Sequence, residues 1–228
     1  MLDITVSNAS VRDRDRAIMP ESTALLSIDM QNSEWSLEKV ARAAQEGTPE
    51  SAKRWFLERL QSTVIPNQQR LQAAARASGI EVIYTVIESL TLDGREISLD
   101  HKISGLFFPK GSWEAQVISD VAPLENEIVI PKTSSGIFNS TNIDYILRNL
   151  GVQFVVIYGV STDQCVETTV RDAADRGFMV TLVEDCCAAE EHPRHDAAID
   201  AVGDHYCRVR STDEVIAEFG KPQLGALG

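Results

Sequence analysis

Three side chains able to do nucleophilic chemistry follow three short apolar runs. Asp29 directly follows Ala24-Leu25-Leu26-Ser27-Ile28. Lys132 follows Glu127-Ile128-Val129-Ile130 and Pro131. Cys165 lies beyond Phe154-Val155-Val156-Ile157-Tyr158, in Gly159-Val160-Ser161-Thr162-Asp163-Gln164-Cys165-Val166. A thiol attacks a carbonyl carbon as its thiolate, so it needs a base and a positive neighbour. Asp29 would serve as the base and Lys132 as the charge, while a helix opening at Cys165 would add its dipole in favour of the thiolate. Backbone N–H groups of the turn from Val160 to Cys165 are the natural donors for an oxyanion. Each residue also has a plainer reading. An acid after a strand is as often a helix N-cap, a lysine there is usually solvated, and an isolated cysteine is usually a small core residue. The chemistry requires that the three meet in space.

The elements that would bring them together alternate along the chain. The three runs above, with Ile80 to Val86 and Met179 to Val183, are short, rich in β-branched residues and flanked by Gly or Pro, which favours strands. Pro131 is expected to stop the third strand. Between them, Val64 to Ser78, Thr141 to Leu150 and Cys165 to Arg176 carry apolar residues at helical spacing, each ended near a glycine. Nearly continuous apolar strands alternating with helices imply a parallel sheet covered on both faces, a three-layer α/β/α fold. Ligands of such sheets bind beyond the carboxyl ends of the strands, where Asp29, Lys132 and Cys165 are expected. Ser36 to Gln61 has a helical look and reads as an insertion, and Glu88 to Gln116 reads as loops near the mouth of the site. Without a linker or repeat, residues 1–228 are expected to form one domain, its core spanning about 23–210.

Composition narrows the function further. The 228 residues are 43% hydrophobic and 24% charged, with a formal net charge of -13. Such a chain repels nucleic acid and anionic membrane surfaces, and neither is expected as a partner. No run of eighteen apolar residues and no signal-peptide pattern occurs. Cys165, Cys186, Cys187 and Cys207 form no CxxC pair, which suits a reducing, cytoplasmic compartment. Cys186, Cys187 and Cys207 read as core or strand-end residues. His101, His192, His195 and His205 show no metal-binding spacing, and His192 and His195 read as capping or surface residues. No phosphate-binding glycine loop and no GxSxG elbow is present.

The same residues carry a family resemblance. Leu25-Leu26-Ser27-Ile28-Asp29-Met30-Gln31-Asn32, Pro131-Lys132-Thr133-Ser134-Ser135-Gly136-Ile137-Phe138 and Gly159 to Val166 resemble, in order, the three signatures of the isochorismatase-like cysteine hydrolases. The likeness continues through Thr168-Thr169, Arg171-Asp172-Ala173, Gly177 and Asp185. It implies a catalytic set of Asp29, Lys132 and Cys165. It also implies a cis peptide between Val160 and Ser161, and an oxyanion hole from the N–H groups of Ser161 and Cys165. The implied reaction is hydrolysis of a C–N bond through a thioester. Cys165 argues against isochorismatases proper, which lack it. Thr85-Val86-Ile87-Glu88-Ser89-Leu90 lacks the Asp-x-His metal site of nicotinamidases, so neither metal nor cofactor is expected. The metal-free group acting on linear amides and ureas remains: N-carbamoylsarcosine amidase, ureidoacrylate amidohydrolase, and biuret or triuret hydrolases. An aromatic-amide amidase and a silent binding protein stay open as alternatives. The resemblance also suggests a homodimer or homotetramer. For the small-molecule substrate, Glu88 is a candidate acceptor, or is solvated or paired with Arg95. Phe138 is a pocket aromatic or core, Trp35 is a candidate wall, and Gln31 is a polar neighbour of the base or a cap.

Overall fold

In the computed structural model, residues 15–33 and 51–220 are described, with side chains from residue 55 in the second stretch. Six parallel strands form one sheet in the order β3-β2-β1-β4-β5-β6. They are β1 (Thr23–Ile28), β2 (Glu81–Ile87), β3 (Ile128–Lys132), β4 (Phe154–Val160), β5 (Met179–Ala188) and β6 (Arg208–Arg210). The chain builds outward from β1 through β2 to β3, then returns to the other side of β1 and builds β4, β5 and β6. The reversal leaves a crevice between the carboxyl ends of β1 and β4.

Every residue of β1 is buried, with Ala24, Leu25, Leu26 and Ile28 at the centre of the core. That is why the strand reads as a continuous apolar run rather than an alternating one. Helix α1 (Ser51–Arg59) passes through a π-helical turn (Leu60–Val64) into α2 (Ile65–Ala77). On one face of the sheet, α2 packs with α8 (Thr212–Phe219). Between β2 and β3 lies the short α3 (Leu99–Ser104). On the other face lie α4 (Ile137–Ser140), α5 (Ile143–Asn149), α6 (Glu167–Asp175) and α7 (His192–Val202). The fold is therefore three-layered, α/β/α.

The polar side of α2 is pinned to the sheet. Gln68 Nε2 donates to Cys186 O at 2.9 Å, and Gln72 Nε2 to the buried Tyr158 hydroxyl at 3.2 Å. Arg76 donates to Tyr84 Oη at 2.9 Å and pairs with Glu127 at 2.8 Å. Such partners let a helix with polar residues on its inner face pack against an apolar sheet.

Several sequence expectations need correction. Pro131 does not stop β3: the strand runs through it to Lys132, with Pro131 in register with Val86. This strand is at the sheet edge, where a missing N–H is tolerated. β5 continues past Val183 to Ala188, so Cys186 and Cys187 lie within it rather than after it. The stretch 88–116 is not all loop, since α3 lies inside it. Residues 34–50, most of the expected insertion, lie outside the described residues. Its last part is helical and continuous with the next helix.

Gly159 fixes how closely the two central strands approach. It is paired with Ile28 and has φ 131°. A Cβ there would stand 2.1 Å from the Ile28 carbonyl oxygen. No rotamer relieves a clash with backbone, and the dihedral itself disfavours an L side chain. Gly159→Ala is expected to destabilise the protein by about 3 to 5 kcal/mol, combining strain and overpacking. Urea denaturation checks it, and an unchanged midpoint would refute the close-approach argument.

Candidate active site

Asp29, Lys132 and Cys165 meet at the crevice between β1 and β4. Asp29 is the first residue past β1, flanked in the sheet by Thr85 and Gly159 opposite Ile28. Its φ is 53°, a left-handed conformation that costs a non-glycine residue roughly 1 kcal/mol. Two bonds hold the turn: Asp29 N donates to Thr85 O at 3.0 Å, and Gln31 N to Asp29 O at 2.9 Å. Thr85 Oγ1 donates to Asp29 Oδ1 at 3.1 Å. Lys132, the last residue of β3, is fully buried, and its Nζ lies 2.9 Å from Asp29 Oδ2. Cys165 sits in a π-helical turn, Thr162–Val166, that follows β4 and leads into α6. The peptide between Val160 and Ser161 is cis.

The Lys132 ammonium has three protons and four acceptors around it. It donates to Ser134 O at 2.9 Å, Ser135 O at 3.2 Å and Cys165 Sγ at 3.3 Å. Asp29 Oδ2, 2.9 Å from the same ammonium, is its buried ion-pair partner. Burial by itself would push the Lys132 ammonium down, but Asp29 and Cys165 outweigh it and hold it above its usual value. Lys132 is therefore a fixed positive charge.

Cys165 departs from expectation. Burial, with the Asp29 charge adding to it, outweighs the pull of Lys132 and leaves its thiol pushed up to about 12. The helix dipole and the lysine favour the thiolate, but burial of a side chain only 5% exposed opposes it. The resting group is the thiol, within hydrogen-bonding reach of Asp29. Cys186 and Cys187 are pushed up by burial too. An unfolded thiol titrates near 8.5, so above about that pH the unfolded chain releases protons that the folded chain keeps. Stability is then expected to fall as pH rises above about 8.5. Urea midpoints at pH 7.5 and 9.5 check this, and a higher midpoint at pH 9.5 would refute it.

The candidate substrate contacts fare differently. Gln31 is fully engaged with backbone. Its Nε2 donates to Ile87 O at 3.1 Å and Glu114 O at 3.0 Å, and its Oε1 accepts from Ile87 N at 2.7 Å. It ties the end of β2 to the 113–117 loop rather than facing a substrate. Glu88 is neither free nor paired with Arg95, which contacts Asp93 instead. Glu88 Oε1 accepts from Gly111 N at 2.6 Å, and Glu88 N donates to Lys132 O at 3.2 Å. Phe138 is a core residue: its ring lies 6.0 Å from Phe178 with the Arg176 guanidinium 4.9 Å away. Trp35 lies outside the described residues.

Sequence reasoning missed other residues near the site. Thr85 gave no signal beyond its place in a strand. His101, on α3, is buried, and neither ring nitrogen has a hydrogen-bond partner among the described residues. Burial and the Lys132 charge lower its pKa, so it is neutral. His195, expected at a cap or on the surface, is 3% exposed and bonded to Thr162 in the Cys165 turn. No group of three or more potential metal ligands occurs among the described residues. No described helix is long and apolar enough to cross a membrane.

A doubly wound sheet with an Asp–Lys–Cys cluster at its switch point defines a three-layer α/β protein with a candidate cysteine-nucleophile site. Comparison with known proteins gives the family: the isochorismatase domain model matches residues 23–214. The chain belongs to the isochorismatase family. It is 32% identical to the ureidoacrylate amidohydrolase RutB of Variovorax paradoxus (strain S110) over 76% of this chain and 71% of that protein. The crystal structure of N-carbamoylsarcosine amidase from Thermoplasma acidophilum is similar with a TM-score of 0.64 and 28% identity, covering 84% of this chain and 97% of that one. A cysteine hydrolase from Pseudomonas syringae pv. phaseolicola 1448A shares the fold with a TM-score of 0.75 at 22% identity, covering 90% of this chain and 95% of that one.

Proposed function

We propose that this protein is a cysteine-dependent amidohydrolase that cleaves a C–N bond of a small linear carbamoyl or ureido compound. The observation that carries the reading is the buried cluster in which Lys132 Nζ lies 2.9 Å from Asp29 and 3.3 Å from Cys165 Sγ. The names of the relatives, a ureidoacrylate amidohydrolase and an N-carbamoylsarcosine amidase, support the substrate class.

The proposed steps use the groups of this cluster. Asp29 takes the thiol proton as Cys165 Sγ attacks the substrate carbonyl carbon. Transfer during attack suits a thiol that rests protonated. The Lys132 charge stabilises the developing thiolate. The new oxyanion is held by the N–H groups of Ser161 and Cys165 on the turn past the cis peptide. Collapse breaks the C–N bond, and the leaving nitrogen takes the proton from Asp29 and departs as ammonia or an amine. Water, deprotonated by Asp29, then attacks the enzyme-bound acyl group. Its carboxylate product leaves, and the proton returns to the Cys165 sulfur. For a ureido substrate losing ammonia, the product is a carbamate, which breaks down to an amine and carbon dioxide. Glu88, whose Oε1 accepts from Gly111 N, is proposed to border the pocket.

The test is ammonia release from biuret, triuret, N-carbamoyl amino acids, ureidoacrylate and nicotinamide. Turnover of a linear urea or carbamoyl compound is expected. Turnover of nicotinamide alone would shift the reading to an aromatic-amide amidase, and release from none would refute amidohydrolysis of this substrate class.

A further inference from the structure

The turn that carries Cys165 is braced from behind by a chain of side chains from three separate elements. Thr162, buried and two residues past Val160, has its Oγ1 2.8 Å from His195 Nδ1. The other ring nitrogen, His195 Nε2, lies 3.0 Å from Arg59 Nη2. Arg59 is in turn fixed on the end of β5: its Nε donates to Cys187 O at 2.8 Å and its Nη2 to Glu184 O at 3.0 Å. Trp55, one turn earlier on α1, closes over the group, with its ring centroid 5.5 Å from the Arg59 guanidinium and 6.0 Å from the His195 ring. Next to His195 on α7, Arg194 Nε donates to Asp163 Oδ2 at 2.6 Å. Two successive residues of α7 thus grip two successive residues of the turn.

The chemistry of the donors sets the direction of the chain. A guanidinium only donates, so His195 Nε2 must accept from Arg59. The imidazole is then neutral with its proton on Nδ1, and Nδ1–H donates to Thr162 Oγ1. Glu184 Oε2 is 3.8 Å from the same Nε2, beyond hydrogen-bond distance, and lies nearer Arg59 at 3.4 Å. A proton on Nε2 would meet the Arg59 donor head on.

We propose that His195, held in its Nδ1–H form by Arg59, is a positioning residue for the turn that presents the Ser161 and Cys165 N–H groups. It rests on the amidohydrolase reading for its effect on rate but not for its tautomer. Oxyanion donors act in the transition state, so a turn displaced by a few tenths of an ångström loses kcat more than substrate binding.

Two measurements on the whole protein test it. The first needs no turnover: nitrogen NMR of histidine-labelled protein. It is expected to show His195 neutral with its proton on Nδ1, and Arg59→Met is expected to shift that proton toward Nε2. A wild-type His195 protonated on Nε2, or one indifferent to Arg59→Met, overturns the proposal. The second is kinetic. His195→Phe is expected to lower kcat about 10- to 100-fold with KM nearly unchanged, the usual scale for groups that orient a reactive one. His195→Asn, whose Nδ2–H can replace Nδ1–H toward Thr162, is expected to recover most of that loss. Equal losses in the two variants, or a loss confined to KM, overturn the positioning role. Wild-type protein inactive on every amide, with the Nδ1–H form still observed and dependent on Arg59, would sink the amidohydrolase reading and leave the brace standing.

Discussion

Cys165→Ala is expected to abolish ammonia release, a fall in kcat of at least about 10^4-fold, while leaving the unfolding midpoint close to that of the wild-type protein. Removal of a nucleophile from a set that acts as a unit costs nearly the whole of its catalysis. The side chain is small and its loss leaves a cavity of about one sulfur atom, so the structural cost is modest. Lys132 keeps Asp29, Ser134 O and Ser135 O as partners, so no charge is orphaned. Ammonia release and urea denaturation on the same preparation check both halves. Residual turnover within tenfold of wild type would show that another group makes the attack.

Lys132→Met is expected to destabilise the fold strongly. It leaves the Asp29 carboxylate, 5% exposed as a side chain, without its counter-charge. Breaking one side of a buried pair typically costs about 3 to 5 kcal/mol, most of it the desolvation of the charge left behind. The carbonyl oxygens of Ser134 and Ser135 lose a donor as well. The double variant Asp29→Asn with Lys132→Met removes both charges and is expected to regain a large part of that stability while staying inactive. A double variant no more stable than Lys132→Met would show that the lysine matters through packing rather than through the pair. The comparison therefore separates the energetics of the cluster from its chemistry.

Much of this architecture is legible in the residues. β1, β2 and β4 are covered on both faces, so their apolar runs are uninterrupted and easily found. The ends of β1, β3 and β4 announce Asp29, Lys132 and Cys165 because each lies next to its strand in sequence, and the crevice at a strand reversal is a general property of such sheets. Other elements leave little trace. β6 is Arg208-Val209-Arg210, too short and too charged to look like a strand, and the Glu184-Asp185 step hides the continuation of β5. Pro131 is misleading because edge position, which decides whether a proline is tolerated, is not local information. Gln31 and Glu88 look available for substrate because the loop segments that occupy them, around Glu114 and Gly111, come from across the fold. His195 looks like a surface residue for the same reason: its partners, Arg59 and Thr162, lie far away in the chain. The upward push on the Cys165 thiol comes from burial, which three-dimensional packing alone determines.

The strand order has a consequence for how the protein comes into being. During synthesis from the amino terminus, β1 emerges early and can pair with β2, but its other edge is the place of β4, whose sequence arrives more than half the chain later. Until then Asp29 has no thiol beside it, and one side of a strand that is buried throughout in the finished fold is bare. A ribosome-bound chain stopped before β4 is therefore expected to carry no hydrolytic activity and to present an open strand edge, the kind of surface that chaperones cover. Hydrolysis then begins only once the two halves of the sheet have closed, which makes the activity itself a readout of completed folding.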